Sequence, residues 1–156
     1  MKVALGADHA GFALKQAIGA RLRDLGHEVH DFGTGSETSC DYPDFAALAA
    51  RDVANGGADR AILVCTTGIG MSIAANKIAG VRAALAINED SVRLSREHND
   101  ANVLAVAAKY TSEPQAAAFV DAFLNTSFSG GERHARRLDK IAALQGLVQK
   151  EQLTRS

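Results

Sequence analysis

The chain has 156 residues, 47% of them hydrophobic and 22% charged, with a formal net charge of -1. That is enough apolar material for one full core, so a single domain over 1–156 is expected, with no electrostatic case for nucleic acid or an anionic membrane as a global partner. No apolar run approaches the ~20 residues a bilayer crossing needs, and Met1-Lys2-Val3 leads into a strand without a signal-peptide core, so a cytoplasmic location is expected.

Val3 to Leu5 reads as a first strand, and Gly6 to Gly11 as the loop beyond its C-terminal end. Leu14, Ile18, Leu22 and Leu25 then recur at steps of four, four and three, one apolar face of a helix stopped near Gly26. A strand, a loop and a helix in that order open a parallel βαβ unit, and ligands bind at the C-terminal ends of such strands. Asp8 and His9 fall on that rim. Asp8 reads equally as a helix cap or as a ligand; His9, a poor cap, reads as a ligand.

Glu28 to Phe32 reads as the second strand. After a loop through Gly33, Thr34, Gly35 and Ser36, Pro43 can begin a helix carrying Phe45, Leu48, Ala49 and Val53, which Asn55-Gly56-Gly57 ends. Asp41 either assists that helix start or points to the same rim, and the residues leave both open. Cys40 has no glycine-rich loop beside it and reads as incidental. The two cysteines, Cys40 and Cys65, occupy unlike contexts and fit free thiols, and no Cys or His spacing suggests a metal site.

Ile62 to Asn76, ILVCTTGIGMSIAAN, carries the most chemistry. Ala61 to Val64 is a short β-branched and apolar run, as in a strand buried on both faces. From Cys65 a thiol, two hydroxyls (Thr66, Thr67), two glycines (Gly68, Gly70) and Ser72 follow within eight residues, and helical spacing resumes at Ile73. Outward N–H groups of such a turn stabilise an anion or a developing oxyanion. A cysteine ending a strand is by default a small core residue. Thr-Thr-Gly beside it has little packing value, however, and points to reaction at a carbonyl or an enediolate.

Val81 to Ile87 reads as the fourth strand, a short helix begins at Ser91, and Glu97-His98-Asn99-Asp100 reads as a polar connection to the fifth strand, Val103 to Val106. His98 is the member that could move a proton near neutral pH. Ser112-x-Pro114 caps a helix whose core face is Ala116, Phe119, Val120 and Phe123. Gly130-Gly131 precedes a last helix, about 132–149, with a polar tail at 150–156. On it Arg133 and Arg137, four residues apart, share a face suited to a phosphate.

Five segments in order, Gly6 to Gly11 (GADHAG), Asp41 to Pro43 (DYP), Cys65 to Lys77, Ser95 to Leu104 and Gly130 to His134 (GGERH), resemble the type B ribose-5-phosphate isomerases and the related galactose-6-phosphate isomerase subunits. The resemblance covers nearly the whole chain. It implies a three-layer α/β/α, Rossmann-like fold with a five-stranded parallel sheet, and an aldose-ketose isomerase for a phosphorylated sugar that needs no metal or organic cofactor. By that similarity Cys65 would move a proton between C1 and C2 through a cis-enediolate, His98 would help open the furanose ring and Thr67 could relay a proton. The amides of Gly68, Ile69, Gly70, Met71 and Ser72 would hold the enediolate, Asp8, His9, Thr66 and Asn99 would bind the sugar, and Arg133 and Arg137 the phosphate. The family also implies a homo-oligomer, dimer or tetramer, whose sites combine two subunits; which subunit supplies His98 is left open. Two positions depart from the pattern: Thr66, where glycine is common, and Lys109, where many members carry an arginine. Ribose 5-phosphate to ribulose 5-phosphate is the expected reaction. The alternatives are another sugar phosphate, such as erythrulose 4-phosphate, allose 6-phosphate or galactose 6-phosphate, and a noncatalytic phosphometabolite-binding domain.

Overall fold

The apolar run ending at Cys65 lies in the middle of a sheet. In the computed structural model, which describes residues 1–154, β3 (Arg60–Cys65) is flanked by β1 (Lys2–Ala7) and β5 (Val103–Ala107), with β2 (Glu28–Asp31) and β4 (Ala83–Leu85) at the edges. All pairs are parallel, in the order β2-β1-β3-β5-β4. The direction of chain progression reverses between β1 and β3, and that is where open α/β sheets leave a crevice at their carboxyl ends. β3 and β5 are buried almost throughout, as their uninterrupted apolar sequences require.

Helices cover both faces, as expected for three layers. On one side α1 (Phe12–Asp24), α4 (Glu89–Asn99) and α5 (Glu113–Asn125) meet Val3, Leu5, Ile62, Val64, Leu104 and Val106 through Leu14, Ile18, Leu22, Val92, Phe119 and Phe123. On the other, α2 (Tyr42–Ala54) and α3 (Ile69–Ala75) meet Ala4, Leu63 and Ala105 through Ala46, Ala49, Ala50, Met71 and Ala75. Alanine on the inner stripe of α2 lets that helix approach closely: a Cβ at Gly6 of β1 would stand 3.0 Å from the Phe45 carbonyl oxygen. α6 (Glu132–Thr154) follows α5 and touches α4. Among the described residues no helix is long and apolar enough to cross a membrane.

Several boundaries differ from the expected ones. β4 is three residues, not Val81 to Ile87, because the Val81 N–H turns back to the Ile78 carbonyl and Arg82 is bonded through its backbone to Asn102. α4 is longer than expected and absorbs Glu97, His98 and Asn99 as its last turn. It starts at an Asn88/Ser91 capping box, and Asp100 in the left-handed region (φ 44°) ends it. The last helix does not stop near 149 but runs to Thr154, since no glycine or proline interrupts residues 147–154; residues 155–156 of the expected tail lie outside the described residues. Leu25 and Leu48, assigned to inner stripes, are exposed.

Candidate active site

Cys65 is the last residue of β3 and is 4% exposed. On the sheet side it packs with Leu63, Met71 and Ala105, so the core-residue reading describes that half of its surroundings. The other half is polar. The Gly68 N–H donates to the Cys65 Sγ at 3.2 Å, a donor that complements negative charge on a sulfur nucleophile or base. Gly68 has φ 73°, and a Cβ there would stand 2.6 Å from Leu85 Cδ1 and 3.2 Å from the Val106 carbonyl carbon, so the turn tolerates glycine alone.

The amides of this turn divide into two sets. Gly68 serves the sulfur, the Ile69 N–H reaches Thr67 Oγ1 at 3.4 Å, and the Ser72 N–H closes the first helical turn on the Gly68 carbonyl. Gly70 and Met71 are left with no partner for their N–H among the described residues. The expected ring of amides from Gly68 to Ser72 is therefore a pair of open donors. α3 is only seven residues long, so these two N–H groups, not a helix macrodipole, are what a developing oxyanion would meet. The segment is strapped from outside, with the Ala108 N–H on the Cys65 carbonyl (2.9 Å) and the Lys109 N–H on the Thr66 carbonyl (3.0 Å). The Lys109 ammonium itself lies 5.5 Å from the centre of the Tyr110 ring.

Asp8 and His9 stand beside this turn at the end of β1. Asp8 is buried and its Oδ1 accepts the Gly11 N–H at 3.0 Å, so the capping role is filled. Gly11 is pressed onto β3, where a Cβ would come within 2.4 Å of the Val64 carbonyl oxygen. His9 Nδ1 accepts the Cys40 N–H at 3.2 Å, which in the neutral ring puts the proton on Nε2 and makes His9 a donor to a ligand. Cys40 is therefore not incidental, since its backbone orients His9 and its Sγ stands 4.0 Å from the same nitrogen. Asp41 takes the N-cap position of α2 without a side-chain capping bond, and both of its readings stay open. Tyr42 was not singled out from the sequence, yet its ring covers Gly70: a Cβ on Gly70 would stand 2.6 Å from the phenol Cζ. Its place between Asp41 and Pro43 was the available signal.

His98, Asn99, Arg133 and Arg137 gather elsewhere, where the end of α4 meets the start of α6. The His98 and His134 rings are stacked, centres 4.3 Å apart and planes within 8°. His134, missed from the sequence although it follows Arg133, is buried, and the Arg133 Nε donates to its Nε2 at 3.4 Å. Burial, and then the positive charges possible on His98, Arg133 and Arg137, hold the His134 pKa below its usual value. The Arg82 Nε pins the turn by donating to the carbonyls of Asn99 and Asp100, both at 3.0 Å.

The two groups sit at opposite ends of the sheet. Asn99 precedes β5 by four residues, whereas Cys65 is paired in register with Ala107 at the far end of that strand. Four steps of about 3.3 Å along β5 put roughly 13 Å of strand between those two levels. Within one chain, Cys65, Asp8 and His9 share one rim, and His98, Asn99, Arg133 and Arg137 share another.

Comparison with known proteins supplies the wider setting. The family described as Ribose/Galactose Isomerase matches residues 3–141. Ribose-5-phosphate isomerase B of Escherichia coli (strain K12) is 46% identical over 144 residues, 92% of this chain and 96% of the relative. Ribose-5-phosphate isomerase B of Mycobacterium tuberculosis (strain ATCC 25618 / H37Rv) is 43% identical over 144 residues, 91% and 88% of the two chains. Among solved structures, ribose-5-phosphate isomerase B of Clostridium thermocellum superposes with a TM-score of 0.93 at 46% identity, covering 95% of this chain and 99% of that one. The enzyme of Mycoplasma genitalium with bound ribulose-5-phosphate superposes with a TM-score of 0.88 at 39% identity, covering 93% and 96%.

Proposed function

Since the chain belongs to the ribose/galactose isomerase family, we propose that it is an aldose-ketose isomerase that interconverts ribose 5-phosphate and ribulose 5-phosphate. The observation that carries the chemistry is the Cys65 sulfur, held by the Gly68 amide beside the two open N–H groups of Gly70 and Met71. The thiolate removes the proton from C2 of the open-chain aldose and returns it at C1, and the open amides receive the charge that grows on the enediolate oxygen. Thr67 relays a proton between the two sugar oxygens. His9 donates from Nε2, and Asp8 and the loop from Thr66 to Ser72 line the sugar, with Lys109 at its edge. His98 assists ring opening, Asn99 holds a hydroxyl, and Arg133 with Arg137 takes the phosphate as paired guanidinium forks.

In this reading the site is completed by a second copy of the chain. The separation of His98 from Cys65 along β5 supports it, because no rotamer change spans that distance. The surface supports it too: Ile69 and Ile73 on α3 and Ile141 and Leu144 on α6 are 43–60% exposed. Side chains of that size on two helices beside the two half-sites are what an apolar interface between copies would cover.

The test is turnover on a panel of phosphorylated tetroses, pentoses and hexoses, with exchange of the C2 proton followed in deuterated water. Ribose 5-phosphate is expected to give the highest kcat/KM. Preferred turnover of another sugar would move the assignment within the family, and exchange on none of them would leave only a binding domain.

A further inference from the structure

Lys15 lies in the second turn of α1, only 2% exposed, and carries a charge that nothing in the proposed reaction uses. Its ammonium is held by both carboxylate oxygens of Asp31, at 2.6 Å and 2.5 Å, with Gln16 Oε1 at 3.4 Å as the remaining partner. Asp31 is the last residue of β2, and its Oδ1 also accepts the Gly33 N–H at 3.0 Å. The Gly33 carbonyl in turn accepts the Ala7 N–H at 2.6 Å, and the Ala7 carbonyl accepts the Thr34 N–H at 2.8 Å. Ala7 is followed at once by Asp8, whose carboxylate accepts the Gly11 N–H and so leads back into α1. The bonds form a closed circuit from α1 through Asp31, Gly33, Ala7 and Asp8 to α1 again; His9 and Ala10 lie in the span between Asp8 and Gly11, and the Gly33–Thr34 segment runs on to Cys40, whose N–H the His9 Nδ1 accepts.

We infer that Lys15 is a positioning residue for sugar-phosphate binding: its ion pair with Asp31 fixes the Gly33–Thr34 segment against Ala7 and thereby sets the direction of the His9 ring. Lys15 is buried and Asp31 partly exposed, and an ion pair that takes one charge out of water adds little net stability compared with apolar residues of the same size, so the role inferred for it is on geometry. An ammonium bound by both oxygens of one carboxylate restrains that carboxylate, and the Asp31 Oδ1 held in this way also accepts the Gly33 N–H. The inference rests on the assignment of His9 to the sugar-phosphate site.

The experiment compares the wild type with the Lys15→Met/Asp31→Leu double variant and with Asp31→Asn, reading thermal midpoint, kcat, KM for ribose 5-phosphate and the His9 imidazole cross-peaks in a 15N-edited NMR spectrum. The double variant is expected to stay folded, with KM raised about tenfold, kcat within about threefold and the His9 cross-peaks displaced. Asp31→Asn keeps an Oδ1 acceptor for the Gly33 N–H but sets an NH2 group against the ammonium and breaks the ion pair, so it is expected to raise KM and displace the His9 peaks in the same sense as the double variant. A folded double variant with unchanged KM and unchanged His9 peaks overturns the inference. If the double variant does not fold, Lys15→Gln takes its place, and unmoved His9 peaks with unmoved KM overturn the inference in the same way. Because the His9 signals need no turnover, they decide this point even where the wild type isomerises no sugar, an outcome that would remove the functional assignment alone.

Discussion

The imidazoles of His98 and His134 lie face to face, 4.3 Å between centres and 8° between planes, with the Arg133 Nε donating to the His134 Nε2. The stack joins the last turn of α4 to the first turn of α6, so the residue assigned to ring opening and the helix assigned to the phosphate are held as one unit.

That unit has a signature in the dependence of stability on pH. The folded-state pKa of His134 is lowered by burial first and by neighbouring positive charge second, so as pH falls the unfolded chain takes up this proton before the folded one. The contribution of His134 to stability therefore declines as pH drops through about 6.5, the ordinary histidine value. His30 works in the opposite sense. Its pKa is raised, by the hydrogen bond its ring donates to the Asp52 carboxylate first and by the one to Glu28 second. Its contribution is complete below about 6.5 and is lost as pH rises through the raised folded value. Urea unfolding of the wild type, His134→Asn and His30→Gln between pH 5 and pH 9 is expected to show the wild type's advantage over His134→Asn shrinking toward low pH and its advantage over His30→Gln shrinking toward high pH. Parallel curves would contradict both assignments.

Replacing Cys65 by alanine removes the proposed base and leaves the rest of the pocket. Turnover is expected to fall by about 100- to 10,000-fold, the usual worth of positioned acid-base groups, with affinity for ribose 5-phosphate within about tenfold. Stopped assays and calorimetric titration separate the two quantities. Loss of affinity equal to the loss of rate would make Cys65 a binding residue.

A shared site permits complementation. Cys65→Ala and His98→Asn are each expected to be nearly inactive alone. Mixed in equal amounts and allowed to exchange subunits as dimers, half of the pairs are hybrids, and one of two sites in each hybrid has both residues, giving about a quarter of wild-type activity. No recovery in a mixture shown to exchange would place Cys65 and His98 in the same chain's site.

Gly68→Ala puts a side chain at φ 73° and within 2.6 Å of Leu85. The left-handed backbone alone costs about 1–2 kcal/mol, and the clash adds to it. Gly56→Ala is the control, since its φ is 77° but nothing lies within 4 Å of the added carbon. Thermal unfolding is expected to place Gly68→Ala clearly below Gly56→Ala, and Gly68→Ala alone is expected to lose turnover.

Among the described residues, sequence periodicity and local signals suffice to find the five strands and the six α-helices, because the buried runs of β3 and β5, the cap at Ser112 and the helix start at Pro43 are local; the short 3-10 turn His9–Gly11 reads as loop. Periodicity failed where burial and polarity part company. Ser95 and Arg96 are both buried near the end of α4, Arg96 because its guanidinium is satisfied by Asp100, Ala101 and Thr126, and this anchoring lets the helix run on through Glu97, His98 and Asn99, which read as a connection. The candidate site was legible one motif at a time. Cys65, Asp8 and His9 follow from strand ends, but the amide of Cys40 on His9, the Tyr42 ring over Gly70 and the circuit through Lys15 join residues far apart in sequence or of ordinary type. The placing of His98 on the opposite rim from Cys65 depends on strand register, which no single segment encodes.

That register has a bearing on how such a molecule behaves inside a cell. On the proposed reading, a chain whose Cys65 and His98 stand at opposite ends of its own strands would be inert when solitary, however well folded. Were the site shared between two copies as proposed, specific activity would rise with concentration until pairing saturates, so abundance would tune output more steeply than in proportion, and an agent that keeps two copies apart would silence the enzyme without touching the pocket.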